Sequence, residues 1–127
     1  MRRVSNSDVS LAKATVESLA QGQPVARADL ASAVRVGCAV LEHLHRGKTL
    51  ELRVPPFAAV QVGSADRGAH TRGTPPNVVE TDPATFLALI GGSLSWREAL
   101  AAHRVAASGP HTDLADWFPV SLADPEG

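Results

Sequence analysis

The chain has little of what marks a secreted, membrane-spanning or nucleic-acid-binding protein. Its single cysteine, Cys38, cannot form an internal disulfide, and no apolar run approaches the roughly 18 residues of a spanning helix. Lys and Arg number 12 and Asp and Glu number 13, so the formal charge of −1 attracts neither nucleic acid nor an anionic membrane. We therefore expect a cytoplasmic protein with no nucleic-acid partner and no stable membrane insertion.

Sequence signatures of catalysis are also missing. The chain contains no G-x-S-x-G motif, no Walker loop, no dinucleotide fingerprint and no zinc-ligand spacing. His43 and His45 stand two residues apart in a predicted helix, so they point to different faces rather than to one ion. Cys38 lies among apolar residues, and Asp113 with Asp116 fits a helix cap followed by a first-turn acid. We expect no catalytic residue, no metal and no cofactor.

The composition predicts one α+β domain over residues 1–127. At this length, with 44% hydrophobic residues, the chain supports one core but not two. Residues 1–8 and 120–127 are expected to fray, and residues 9–25 to form an N-terminal helical extension. Apolar spacing predicts helices over 8–20 and 29–45, with Gly47 as the C-terminal cap of the second.

Three further helix starts are marked by capping residues. Asp82 followed by Pro83 is a strong start, because the carboxylate accepts from free amides and proline needs no donor at the first helical position. Ser95 and Glu98 have the spacing of a capping box. Asp113 is predicted to cap a last short helix.

The hydrophobic pattern between the second and third helices changes to that of strands. Leu50, Leu52 and Val54 alternate with polar residues, which predicts a half-buried strand over 50–54. A second strand over 57–62 is expected to turn Val60 and Val62 toward the core. Short strands are predicted over 78–80 and 104–108.

The polar segment 63–76 is long for a connection in a small domain, and it leads into the run His70 to Asn77. Arg72 offers a fork of donors suited to a carboxylate or phosphate, and His70 is readily titrated near neutral pH. In the other interpretation, the two prolines stiffen an edge connection and Arg72 pairs with an acid such as Glu80. Both interpretations stay open on the sequence.

These motifs together resemble the sterol carrier protein family, in its compact bacterial, chiefly actinobacterial, form. The similarity covers about residues 30–119. It is carried by the strand 50–54 followed by two prolines, the run 70–80, and Asp82-Pro83 leading into Phe86. It continues through Leu94-Ser95-Trp96 to the strand and glycine at 105–109.

The resemblance implies one mostly antiparallel sheet of four or five strands, with helices on one face and an apolar ligand tunnel between the two layers. Fatty acids, acyl chains and sterol-like molecules are the ligands it implies. The chain is also similar to the C-terminal domain of mycothiol-dependent maleylpyruvate isomerases. Because the metal-binding helical domain of those enzymes has no counterpart here, isomerase activity is not expected.

The first functional hypothesis is a non-catalytic carrier of a lipid or another small apolar ligand. The predicted tunnel lining is Phe57, Val60, Val62, Phe86, Leu89, Ile90, Trp96 and Trp117. The predicted head-group contacts are His70, Arg72, Thr74 and Asn77.

Two alternatives stay open. One is an accessory or interaction domain with a filled tunnel, which contacts a protein partner or a second copy through the loop 63–76. The other is an enzyme that acts on an anionic substrate through His70 and Arg72; no positioned acid/base pair accompanies these two residues.

Overall fold

The computed structural model describes residues 4–63 and 77–122 of the chain. In chain order the elements are α1 (Asn6–Ala20), α2 (Arg27–Leu44), β1 (Leu50–Val54), β2 (Ala58–Val62), β3 (Asn77–Thr81), α3 (Pro83–Gly91), α4 (Trp96–Ala101), β4 (Val105–Ser108) and a 3-10 turn (Ala115–Trp117). No helix within these residues is both long and apolar enough to span a membrane.

Capping residues start α3 and α4 where the sequence predicts them. The Asp82 carboxylate accepts from the Thr85 amide at 2.8 Å, and Pro83 occupies the first turn of α3. At α4 the Glu98 amide donates to Ser95 Oγ at 3.1 Å, while the Ser95 amide donates to Glu98 Oε1 at 2.8 Å. Both predictions are confirmed, and each satisfies amides that the first turn of a helix leaves unpaired.

Two predicted helix ends are wrong. Helix α2 ends at Leu44 with His45 as its cap, two residues before Gly47. His45 already leaves the helical conformation, and Gly47, at φ 145, serves the turn into β1 instead. The predicted last helix is a single 3-10 turn; Asp113 Oδ1 accepts from the Ala115 amide at 3.0 Å, but Phe118 is already extended.

The four strands form one mixed sheet in the order β2-β1-β3-β4. Strand β1 pairs antiparallel with β2 and parallel with β3, and β3 pairs antiparallel with β4. Val62 lies opposite Leu50, and Val60 lies opposite Leu52, so both valines share the core face as predicted. The α+β class and the mostly antiparallel sheet are confirmed.

The helices cover one face of the sheet. Helix α2 packs on β2 and on α3, and α1 packs on the outer side of both helices. A Cβ on Gly37 of α2 would lie 2.8 Å from Cε2 of the fully buried Phe86, so glycine permits the close approach of α2 to α3. On the opposite face, Arg53 of β1 pairs with Glu51 at 2.9 Å and lies 3.9 Å from Glu80.

Candidate functional site

A pocket of about 580 Å³ opens at the end of the sheet where β1 and β3 begin and β2 ends. We call it the sheet-end pocket. Its apolar wall consists of Leu44, Leu50, Leu114 and Trp117. The other lining residues are His45, Arg46, Thr49, Gly63, Asn77, Pro110, His111 and Asp113. The lining therefore combines apolar and polar residues.

The His45 and Trp117 rings lie together in the lining of the pocket. They stack with centroids 4.0 Å apart and ring planes inclined by 4°. Burial lowers the pKa of His45 from its usual 6.5, because desolvation disfavours the charged imidazolium. Near neutral pH the wall at this point is an uncharged aromatic pair.

Asn77, a buried residue of the pocket lining, joins three segments of the chain. Its side chain is 1% exposed. Nδ2 donates to the Thr49 carbonyl at 2.8 Å, and Oδ1 accepts from the His111 amide at 2.9 Å. Asn77 was predicted as a head-group contact. Its position lines the pocket, while its amide ties the start of β1 to the segment that follows β4.

Gly63 also lines the pocket. Its amide donates to the His45 carbonyl at 2.8 Å, and this bond links the end of β2 to the cap of α2. At φ 109 the position favours glycine. Gly63 and Asn77 flank the segment 64–76, so the predicted contacts His70, Arg72 and Thr74 lie outside the described residues.

Arg46 stands beside the stacked pair at the exposed rim of the pocket. Its guanidinium Nη2 lies 3.2 Å from Nδ1 of His43. Because a guanidinium only donates, the His43 ring accepts through Nδ1. This contact restrains the arginine side chain and leaves its other donors for other partners.

The predicted lining residues fall into three groups. Val62, Phe86, Leu89 and Ile90 are no more than 1% exposed and pack in the core between the sheet and the helices. None of them lines the pockets described here. Phe57 and Val60 are half-buried, and the Arg27 guanidinium lies 5.0 Å from the centroid of the Phe57 ring. Trp96 and Trp117 line pockets, and only Trp117 faces the sheet-end pocket.

Trp96 lies beside two smaller pockets, of about 390 Å³ and about 210 Å³. Its ring stacks on Phe118 with centroids 6.2 Å apart. Its Nε1 is buried and has no hydrogen-bond partner among the described residues. The Trp96 ring therefore serves mainly as a packing surface for the C-terminal segment.

The described residues hold no cluster suited to a metal. Within 4–63 and 77–122 no three His, Cys, Asp or Glu side chains lie close enough to share an ion. Burial, with a smaller contribution from the charge of Glu42, raises the pKa of the Cys38 thiol to about 12. Such a thiol is not a nucleophile near neutral pH.

Sequence reasoning missed most of the sheet-end pocket. Leu44, His45 and Arg46 were assigned to the second helix and its end, and His111 and Leu114 to the C-terminal segment. The available signal was local: the polar or basic residues His43, His45 and Arg46 lie at the end of an apolar helix. Nothing in the sequence showed that this helix end lies against the start of β1 and β3.

A family model described as "Bacterial SCP ortholog", where SCP stands for sterol carrier protein, matches residues 26–120. The match begins just before α2 and extends past the 3-10 turn, so it includes every residue of the sheet-end pocket. No curated protein matches the chain.

Proposed function

The chain belongs to the bacterial sterol carrier protein family, and from this premise we propose that it is a non-catalytic carrier of a lipid or another small apolar ligand. The ligand class is a fatty acid, another acyl chain or a sterol-like molecule. We place the ligand's polar end in the sheet-end pocket and its apolar part against Leu50, Leu114 and Trp117. The cytoplasm is the proposed site of action.

The presence of both apolar and polar residues in the lining of the sheet-end pocket carries this proposal. An amphiphile gains free energy when its apolar part leaves water, and its head group still needs polar partners. The pocket volume of about 580 Å³ lies within the roughly 300–1,000 Å³ of small-molecule sites. Binding of this kind needs no reactive side chain.

The two tryptophans of the chain allow a direct test, because Trp117 lines the pocket and Trp96 does not. In the Trp96→Phe variant, titration with a medium-chain fatty acid should change the emission of Trp117 in a saturable way. The matched variant Trp117→Phe, which keeps Trp96, should show little change. Native mass spectrometry of the wild-type protein from its own host should show a bound lipid. A protein that carries no lipid and ignores a panel of fatty acids would contradict the proposal.

One observation favours the second candidate, an accessory or interaction domain. The layer in which a tunnel was predicted holds the fully buried Phe86, Leu89 and Ile90, and Gly37 allows α2 to pack directly on the Phe86 ring. Side-chain filling of this layer suits a domain that keeps the fold and binds a protein instead. Pull-downs with the wild type and with Arg72→Ala test this candidate. An unchanged set of captured proteins would show that Arg72 of the loop 63–76 does not contact the partner.

A further inference from the structure

We infer that the sheet-end pocket selects amphiphiles with an anionic head group, such as a carboxylate, and that Arg46 is the head-group contact. This inference rests on the carrier function proposed above. It adds the charge of the ligand, which neither the fold nor the family match specifies.

The first step concerns the partners of Arg46. Among the described residues, the ion pairs are those of Arg53 with Glu51 and with Glu80, and Arg46 belongs to neither. Its one side-chain hydrogen bond within residues 4–63 and 77–122 is to the His43 ring, an uncharged acceptor when Nδ1 accepts. A guanidinium with five donors and a single neutral acceptor retains most of its capacity for an anion.

The second step compares donors with acceptors around the pocket. Thr49 adds a hydroxyl to the donors of Arg46, and His45 and His111 add ring nitrogens. Among the described lining residues Asp113 is the acid, and its Oδ1 is already engaged by the Ala115 amide. The Thr49 hydroxyl and the imidazole rings can each donate or accept, whereas the Arg46 guanidinium only donates, so Arg46 favours an anionic head group over a cationic one.

The third step concerns position. Arg46 lies at the exposed rim, while Leu50 and Leu114, both 2% exposed, lie deeper in the same lining. A ligand that contacts Arg46 with its head group and the two leucines with its chain keeps the charged end near water and buries the chain. This arrangement avoids the cost of burying a charge without a partner.

Decanoate and 1-decanol, which share a chain length and differ in head-group charge, test the inference. We expect the wild-type protein to bind decanoate roughly tenfold more tightly, the size of one charge-assisted hydrogen bond. Arg46→Gln should reduce this preference to roughly threefold or less and leave 1-decanol binding nearly unchanged. Asp113→Asn, which keeps an acceptor for Ala115, should increase the preference by removing a like charge.

Arg35→Gln is the matched control, because Arg35 is an exposed arginine on α2, the helix that precedes Arg46, and lines none of the pockets described above. It should leave the affinity for both ligands unchanged. Equal binding of the two ligands to the wild type, or an equal loss of both in Arg46→Gln, would overturn the inference and leave the carrier function standing. If neither ligand binds the wild type, the carrier function fails and the inference fails with it.

Discussion

Replacing Asn77 with alanine separates the two roles open to this residue, a scaffold and a head-group contact. The side chain is 1% exposed, and both ends of its amide bond the backbone, to the Thr49 carbonyl at 2.8 Å and the His111 amide at 2.9 Å. Alanine removes both bonds and leaves two backbone groups without a protein partner. If the scaffold role dominates, the main effect is on stability.

The size of the effect follows from those two bonds. A buried polar group left unpaired costs about 1–3 kcal/mol, and water can reach the exposed His111 more easily than the Thr49 carbonyl. We therefore expect Asn77→Ala to lower the free energy of unfolding by about 2–4 kcal/mol. For a chain of this size, that corresponds to a fall in Tm of roughly 6–16 °C.

Urea unfolding followed by circular dichroism measures the change. Asn77→Asp keeps an acceptor for His111 but sets a carboxylate against the Thr49 carbonyl, so it should also destabilise. Asn6→Ala, at an exposed position in the first turn of α1, is the control and should change stability by less than about 0.5 kcal/mol. A similarly small effect of Asn77→Ala, together with lost ligand binding, would refute the scaffold reasoning and assign Asn77 to the head group.

Three further predictions concern the core and the pocket wall. Gly37→Ala should cost about 1–3 kcal/mol in urea unfolding, because its Cβ would meet the Phe86 ring at 2.8 Å; an unchanged midpoint would contradict the packing. Cys38, with its pKa raised to about 12, should resist Ellman's reagent at pH 8 until the protein is unfolded, and rapid native labelling would count against its burial. Because the pKa of His45 is lowered in the folded protein, the unfolded chain binds a proton at this residue first as the pH falls. The stability that the neutral His45 contributes is therefore complete above about pH 6.5 and is lost as pH falls through the folded-state pKa. Tm measured from pH 8 to 5 should fall less steeply in His45→Gln than in the wild type, and parallel curves would exclude this role.

Features that depend on near neighbours in the chain were predictable. The alternation of Leu50, Leu52 and Val54 predicted β1, and the caps at Asp82 and Ser95 predicted α3 and α4. These signals work because hydrogen bonds and side-chain periodicity extend over only three or four residues. The end of α2 was misplaced because Gly47 is an equally good local stop, and a contact to distant β2, the bond from Gly63 to the His45 carbonyl, belongs to the actual end.

The sequence by itself determined the α+β class, the starts of α3 and α4, the core face of the first two strands and the family, because each depends on a local pattern or a linear motif. Only the tertiary structure decided the parallel pairing of β1 with β3 and the sheet-end pocket. That pocket joins the end of α2, the starts of two strands and the C-terminal turn, which are far apart in the chain. Their meeting depends on strand register and on how closely α2 and α3 pack, and no residue's own propensity encodes either.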